Sequence, residues 1–125
     1  MSESMSALLV RRLEVHDAAE AARWDAFVFA CPQASFFHRA GWQTLIREVF
    51  HHDTYFLYAE VDGCIQGVLP LGHVQSRLFG NSLTGLPFAV YGGVAAFNEE
   101  AAIALEKEAE RLAQGLGVDH LELRN

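Results

Sequence analysis

The stretch LFGNSLTGLPFAVYGGV, which runs from Leu78 to Val94, alternates apolar residues with glycines before a helical pattern begins. Glycine has no Cβ atom, so this backbone can adopt positive φ angles and allow a ligand to come close. The free N–H groups at the start of the following helix would point at that ligand. The pattern predicts a strand, then a turn suited to an anionic or acyl group, then a helix.

The chain after this stretch predicts one helix and one strand. Asn98 is a typical N-cap residue and Gly117 a typical helix end, so the helix is predicted from Glu99 to about Leu116. Val118 to Leu123 is then predicted to return as a strand. Strand, helix and strand at this spacing favour a crossover to a parallel neighbour. The buried face of the helix is expected to carry Leu105, Ala109, Leu112 and Leu116.

The chain before the glycine-rich stretch contains a strong hairpin signal, Asp62-Gly63. Both central residues of a type I′ turn need positive φ, which Asp and Gly tolerate. The flanking segments Thr54 to Val61 and Cys64 to Val74 are therefore predicted as an antiparallel pair. A third strand is expected near Ser82 to Leu86. Because Pro70 has no N–H to donate, we expect a bulge or an unpaired position there.

Two amphipathic helices are predicted before the hairpin. Ala7 to Leu13 reads as a first strand, and Asp17 can cap a helix from Ala18 to about Phe29, which Cys31-Pro32 ends. The second helix is predicted from roughly His38 to Phe50. Residues at three-and-four spacing form the predicted buried faces, namely Ala21, Trp24, Phe27 and Val28, then Trp42, Leu45, Ile46, Val49 and Phe50.

The resulting order, β-α-α-β-β-β-α-β, is that of a mixed α/β (α+β) sheet. It matches the first two-thirds of the acetyltransferase fold called GNAT and is expected to be truncated before the last helix and strands of that fold. A fold by itself does not establish a reaction.

Composition predicts one globular domain over residues 1–125. The chain is 51% hydrophobic, and 9 Lys and Arg against 16 Asp and Glu give a net charge of −7. Without a basic patch, DNA is not an expected partner. No signal peptide or membrane span is recognisable, so a cytoplasmic location is expected. Cys31 and Cys64 are expected to be buried thiols.

Several motifs, in this order, resemble the FemAB-like family and most closely its branch associated with the PEP-CTERM and exosortase system. They are WDAFV (24–28), ASFFHRAGW (34–42), GVLPL (67–71), LFG (78–80), LPF (86–88), YGG (91–93) and HLELR (120–124). The resemblance covers nearly the whole chain after residue 20. It implies a longer polypeptide with two GNAT-like domains, of which this chain is the N-terminal part.

The resemblance implies an acyl or aminoacyl transferase that acts on cell-envelope or exopolysaccharide-related precursors. Aminoacyl-tRNA and acyl-CoA are the donor candidates, and no other cofactor is implied. Because the rest of the family's two domains is absent, this chain is not expected to catalyse transfer alone. Its expected partners are the missing C-terminal domain, or a second copy through the edge Val118 to Leu123, and a small-molecule or peptide precursor. The alternatives are a stand-alone GNAT N-acetyltransferase that uses acetyl-CoA and a non-catalytic binding or assembly domain.

The candidate substrate-binding residues are in the glycine-rich stretch. They are Pro87, Phe88, Tyr91, Gly92 and Gly93. An acetyl-CoA enzyme of the GNAT fold carries a Q/R-x-x-G-x-G/A turn before its main helix, and here the leading Gln or Arg is missing. Coenzyme A binding by this turn is therefore not favoured. A purely structural tight turn, in which Tyr91 packs, is the competing interpretation.

The remaining polar residues do not assemble a recognisable reaction centre. Adjacent side chains in the triplet His51-His52-Asp53 would point in different directions, so capping of the preceding helix is expected rather than a metal site. His38 and His73 are expected to be packing groups. Ser82 and Thr84 have no neighbouring base in the sequence, so no catalytic residue is predicted.

Overall fold

The computed structural model of the protein describes residues 7–49, 51–76, 80–85 and 93–122. Within them a mixed sheet has the strand order β1-β2-β3-β4-β6, and β5 pairs with β3 beside β4. The elements are β1 (Leu9–Arg12), α1 (Ala18–Ala30), a 3₁₀ turn (Phe36–His38), α2 (Gly41–Glu48), β2 (Asp53–Val61), β3 (Cys64–Ser76), β4 (Gly80–Gly85), β5 (Ala95–Ala96), α3 (Glu99–Leu116) and β6 (His120–Glu122).

The central hairpin forms as predicted. Asp62 and Gly63 have φ angles of 52° and 80°, as a type I′ turn requires. The predicted crossover after α3 is also confirmed, because β6 pairs in parallel with β4. The other strand pairs are antiparallel. In the described part of the chain, β6 therefore lies at one end of the sheet and β1 at the other.

Two helical layers cover the two faces of the sheet. On one face α1 and α2 pack with Trp24, Phe27 and Ile46 against β-strand residues such as Phe56 and Tyr58. The Trp24 ring stacks on Phe56 at 5.4 Å between ring centroids. On the other face α3 packs against the residues that alternate with them along the strands. That core contains Leu57, Leu69, Leu71, Leu83, Ala101, Leu105 and Ala109.

The caps predicted from the sequence are present. The Asp17 side chain accepts a hydrogen bond from the Glu20 N–H at 2.9 Å at the start of α1. At the start of α3, the Asn98 side chain accepts one from the Ala101 N–H at 2.8 Å. Gly117 ends α3 in the left-handed conformation with φ of 67°. These local bonds explain why the predicted helix boundaries hold.

The second helix differs from its prediction. It begins at Gly41 rather than near His38, because Ser35 and His38 bond to each other and close a separate 3₁₀ turn. The apolar residues of α2 do not all face the core: Ile46 is buried, but Leu45 and Val49 are 37% and 58% exposed. The predicted residue Phe50 lies outside the described residues. Part of the apolar stripe therefore faces outward.

Four smaller predictions need correction. The first strand is shorter than expected, and Cys64 is exposed while Cys31 is buried. The predicted third strand is present as β4, but the predicted order omits the separate two-residue strand β5. The bulge expected at Pro70 is wrong, because the register with β2 is regular there and the irregularity lies between Ala59 and Glu60. The alternative, an unpaired position, is present, because Pro70 lies between the β3 residues that pair with β5 and those that pair with β4. The described helices include none that is both long and apolar enough to cross a membrane.

The backbone explains why Pro70 is accommodated without a bulge. The Phe56 carbonyl accepts a hydrogen bond from the Leu13 N–H at 2.7 Å, so the polar groups of Phe56 face away from β3. Phe56 and Pro70 are therefore a non-hydrogen-bonded pair, in which the proline nitrogen also faces away from β2. The missing N–H costs no bond between β2 and β3.

Candidate functional site

The sheet changes partners in the middle of β3, and we call this place the split. Gly67 and Val68 pair with β5, whereas β3 pairs with β4 from Leu71 onward. The nitrogen of Pro70 faces this interval. β4 ends at Gly85 and β5 begins at Ala95. The split is thus bounded by two strand ends and a proline that cannot donate a bond.

The candidate substrate-binding residues fall in the sequence between β4 and β5. Pro87, Phe88, Tyr91 and Gly92 lie outside the described residues. Gly93 is described and buried. Its carbonyl lies 2.8 Å from Nε2 of His38, in the 3₁₀ turn. The structure therefore places Gly85, which ends β4 and pairs with Leu71 of β3, and Gly93, which is bonded to His38 between α1 and α2.

His38 is a neutral, buried group that holds Gly93. Its Nδ1 accepts a hydrogen bond from the Ser35 N–H at 3.0 Å, so the ring proton belongs on Nε2 and is donated to the Gly93 carbonyl. Only 2% of His38 is exposed, and this burial lowers its pKa from the ordinary value of 6.5. The backbone carbonyl of His38 accepts a bond from the Trp24 indole. The expected packing role of His38 thus includes positioning of the candidate segment.

Two further contacts fix the same end of the segment. The Gln33 side chain accepts a hydrogen bond from the Ala96 N–H at 3.0 Å. The rings of Phe27 and Phe97 pack at 4.6 Å between centroids. Sequence reasoning missed Gln33, and the signal that could have found it is its position just before the ASFFHRAGW motif. Together these contacts anchor the return to β5 against the helical layer.

A row of hydroxyl side chains lies beside the split on the face covered by α1 and α2. Thr54 on β2 and Thr84 on β4 are both in register with Gly72, which has no side chain between them. Ser82 Oγ lies 3.3 Å from Thr84 Oγ1, so the two residues that lacked a partner in the sequence partner each other. All three are buried. Hydroxyls of this kind can orient a polar group.

Thr54 differs from its two neighbours because its Oγ1 is buried without a hydrogen-bond partner. Such a group costs roughly 1–3 kcal/mol relative to a satisfied one. A polar ligand or a water molecule near Gly72 would remove that cost. Thr54 therefore has unused hydrogen-bonding capacity at the register position of Gly72, two residues along β3 from Pro70.

The start of α3 carries the wrong charge for a pyrophosphate. The Asn98 side chain already occupies the Ala101 N–H, and Glu99 and Glu100 are exposed in the first turn. Carboxylates at this end stabilise the helix, but they repel a second anion. This agrees with the missing Gln or Arg of the coenzyme A pattern.

A polar network at the opposite end of α1 is structural. Glu60 is almost fully buried and pairs with Arg11 at 3.0 Å and Arg23 at 2.8 Å. The Tyr58 hydroxyl donates to the Glu20 carboxylate. Burial, and then this bond, raise the pKa of Tyr58 to about 12. These contacts join α1 to β2 and leave Tyr58 protonated at neutral pH.

The histidine triplet behaves as a helix end. His51 has a positive φ of 58°, and the His52 N–H donates to the Ile46 carbonyl at 3.2 Å, which closes the last turn before β2. The capping bond seen here is made by the backbone N–H of His52. Over the described ranges, no group of three His, Cys, Asp or Glu side chains could hold a metal ion.

Comparison with known proteins identifies the fold. No family model and no curated protein matches the chain. Among solved structures it is similar to the crystal structure of a GNAT family acetyltransferase of Staphylococcus aureus subsp. aureus USA300_TCH1516, with a TM-score of 0.61. The chain has a GNAT-like fold. The superposition covers 97% of this chain and 87% of that chain at 10% sequence identity, so the GNAT-like sheet predicted from the element order is confirmed.

Proposed function

We propose that the chain is the N-terminal GNAT-like domain of a FemAB-like acyl or aminoacyl transferase that acts on cell-envelope or exopolysaccharide-related precursors. The observation that carries this proposal is the split. At the split, Pro70 faces the interval between β5 and β4 with its carbonyl oxygen, which can accept a hydrogen bond from an extended polar ligand such as an acyl or peptidyl group, whereas its nitrogen cannot donate one. The motif resemblance and the GNAT-like fold support the same reaction class.

In this proposal the domain binds substrate and relies on the rest of a longer protein for catalysis. Ser82 and Thr84 bond to each other, and no base contacts either hydroxyl in the described part of the chain. The substrate-binding segment contains Pro87, Phe88, Tyr91, Gly92 and Gly93. The cytoplasm is the proposed location, because aminoacyl-tRNA and acyl-CoA are the proposed donor candidates.

Amide chemical shifts test the binding role directly. A 125-residue chain suits two-dimensional ¹H–¹⁵N NMR, and the probes are a soluble peptidoglycan-precursor peptide and coenzyme A. We expect the peptide to shift the amides of Thr84, Gly85 and Gly93, and coenzyme A to leave them unchanged. Thr84→Val should weaken the peptide effect severalfold, whereas Thr44→Val on the exposed side of α2 should not. Absence of any shift near the split would contradict the proposal.

A stand-alone GNAT N-acetyltransferase that uses acetyl-CoA is the second candidate. The structural similarity to an acetyltransferase favours it, and the acidic first turn of α3 opposes it. Calorimetry with coenzyme A separates the two: heat of binding at millimolar ligand supports this candidate, and no heat removes it.

A non-catalytic binding or assembly domain is the third candidate, favoured by the exposed apolar residues of α2. Its partners would be a C-terminal domain or a second copy paired through the 118–123 edge. Transfer activity by this chain alone would eliminate it.

A further inference from the structure

An apolar groove lies on the outer side of the α1 and α2 layer. Its volume is about 370 Å³, and it is lined by Phe36, Arg39, Gly41, Trp42 and Leu45. Phe36 is 58% exposed, and its ring meets the Trp42 ring edge-on at 5.8 Å between centroids. Exposed apolar surface of this kind commonly marks an interaction site.

Arg39 places a positive charge at the edge of this groove. Its guanidinium lies 5.1 Å from the ring centroids of both Phe29 and Phe36, so two aromatic rings hold it in place. In the described part of the chain it forms no ion pair with a carboxylate. A guanidinium held in this way suits a carboxylate from an incoming partner.

The outer face of α3 has the complementary chemistry. Ile103 is 44% exposed, although it lies in the middle of a helix. Glu99, Glu100 and Glu106 are three or four residues from it on the same face, against one lysine, Lys107. In the described residues, none of these three glutamates forms an ion pair. The face presents a branched apolar side chain surrounded by carboxylates.

We propose that the groove binds the Ile103 face of α3 from a second copy of this chain. Ile103 would enter between Phe36, Trp42 and Leu45, and the glutamates beside it would meet Arg39. The two surfaces belong to helices on opposite faces of the sheet. A pair of molecules cannot exchange both contacts at once, so the contact is head-to-tail and adds copies in a chain rather than closing a dimer.

Sedimentation equilibrium with two complementary variants tests this contact. Between about 10 μM and about 1 mM, where small interfaces associate, the wild-type mass should rise continuously above the 13.8 kDa monomer. Arg39→Glu reverses the charge at the groove, and Ile103→Glu replaces the side chain that would enter it. Each variant alone should therefore remain monomeric. In a one-to-one mixture, the Ile103→Glu variant still has an intact groove and the Arg39→Glu variant still has an intact Ile103 face. The two should form a complex of twice the monomer mass that does not grow further.

Matched controls keep the result interpretable. Leu9 on β1 is 48% exposed, a fraction similar to the 44% of Ile103. Leu9→Glu therefore introduces the same charge at a comparably exposed apolar position outside the proposed contact, and it should leave association unchanged. Circular dichroism checks that each variant folds, and Arg39→Gln with Ile103→Ser gives milder replacements. Association that persists in both single variants, or a wild-type chain that is monomeric throughout, would overturn the proposal. So would a monomer whose Trp42 fluorescence responds to phosphatidylglycerol vesicles, because the groove would then fit lipid.

Discussion

His38 links the protonation state of one residue to the placement of the candidate segment. Its Nδ1 faces the Ser35 N–H, so a proton added there would oppose another donor, and it would also create a buried charge. The Gly93 carbonyl accepts equally from the neutral ring through Nε2. The fold therefore selects the neutral tautomer.

The lowered pKa of His38 predicts loss of stability on mild acidification. The unfolded chain takes up this proton below about pH 6.5, whereas the folded chain does so only at lower pH. The contribution of neutral His38 to the free energy of unfolding is therefore complete above pH 6.5 and decreases as the pH falls toward the pKa of His38 in the folded chain. Urea unfolding of His38→Gln between pH 7.5 and 5.5 should show a smaller pH dependence than the wild type. Thr44→Val, which removes no titratable group and lies on the exposed side of α2, is the control and should keep the wild-type slope.

Tyr58 predicts a stability change at the alkaline end. Because burial raises its pKa to about 12, the unfolded chain loses this proton near pH 10 while the folded chain keeps it. The stability it contributes is complete below pH 10 and is lost between pH 10 and 12. Ultraviolet titration at the tyrosinate band should show one late-titrating group that Tyr58→Phe removes. A titration unchanged in that variant would disprove the assignment.

At the scale of elements, the docking of α3 on the sheet depends on Gly67. A Cβ built at this position would lie 3.0 Å from both Ala96 Cβ and Leu105 Cδ1, and 3.3 Å from Ala101 Cβ. Leucine can rotate away, but the alanines are fixed to β5 and α3. The absence of a side chain at Gly67 therefore allows β3 and α3 to pack this closely.

Replacing Gly67 by alanine should destabilise the protein by about 1–3 kcal/mol, because α3 must move outward. Gly115→Ala is the matched control. That position lies within α3 with open space around its Cβ, so the same substitution should stabilise by about 0.5–1 kcal/mol. Chemical denaturation of both variants measures the change in the free energy of unfolding, which should be a decrease for Gly67→Ala and an increase for Gly115→Ala. A neutral Gly67→Ala would show that the two layers adjust without strain.

At the scale of the whole molecule, strand position in the sheet predicts the order of local opening. β2 and β3 have neighbours on both sides, whereas β1 and β6 have one each in the described part of the chain. Hydrogen-bonded amides of β2 and β3 should exchange about 100-fold more slowly than those of β6, a difference of about 3 kcal/mol. Hydrogen exchange followed by NMR measures this directly. Protection of β6 that rises with protein concentration would instead indicate that a second chain pairs with this edge.

The local elements could be predicted because their determinants are neighbours in the chain. Asp17 and Asn98 cap the helices that follow them, Gly117 ends α3, and Asp62-Gly63 closes the hairpin. Helical spacing identified Trp24, Phe27 and Val28 as the buried face of α1. The order of these elements was sufficient to predict a GNAT-like sheet.

The tertiary structure decided which surfaces those elements use. His38 and Gly93 are 55 residues apart in the sequence. The hydroxyl row places Thr54 of β2 on the same face of the sheet as Ser82 and Thr84 of β4. Periodicity gives the apolar side of α2 but not its neighbours, so it could not show that Leu45 would remain exposed. Periodicity also could not predict that β3 pairs with β5 over one part of its length and with β4 over another. Propensities and caps act over a few residues, whereas strand partners and burial depend on packing summed across both layers of the fold.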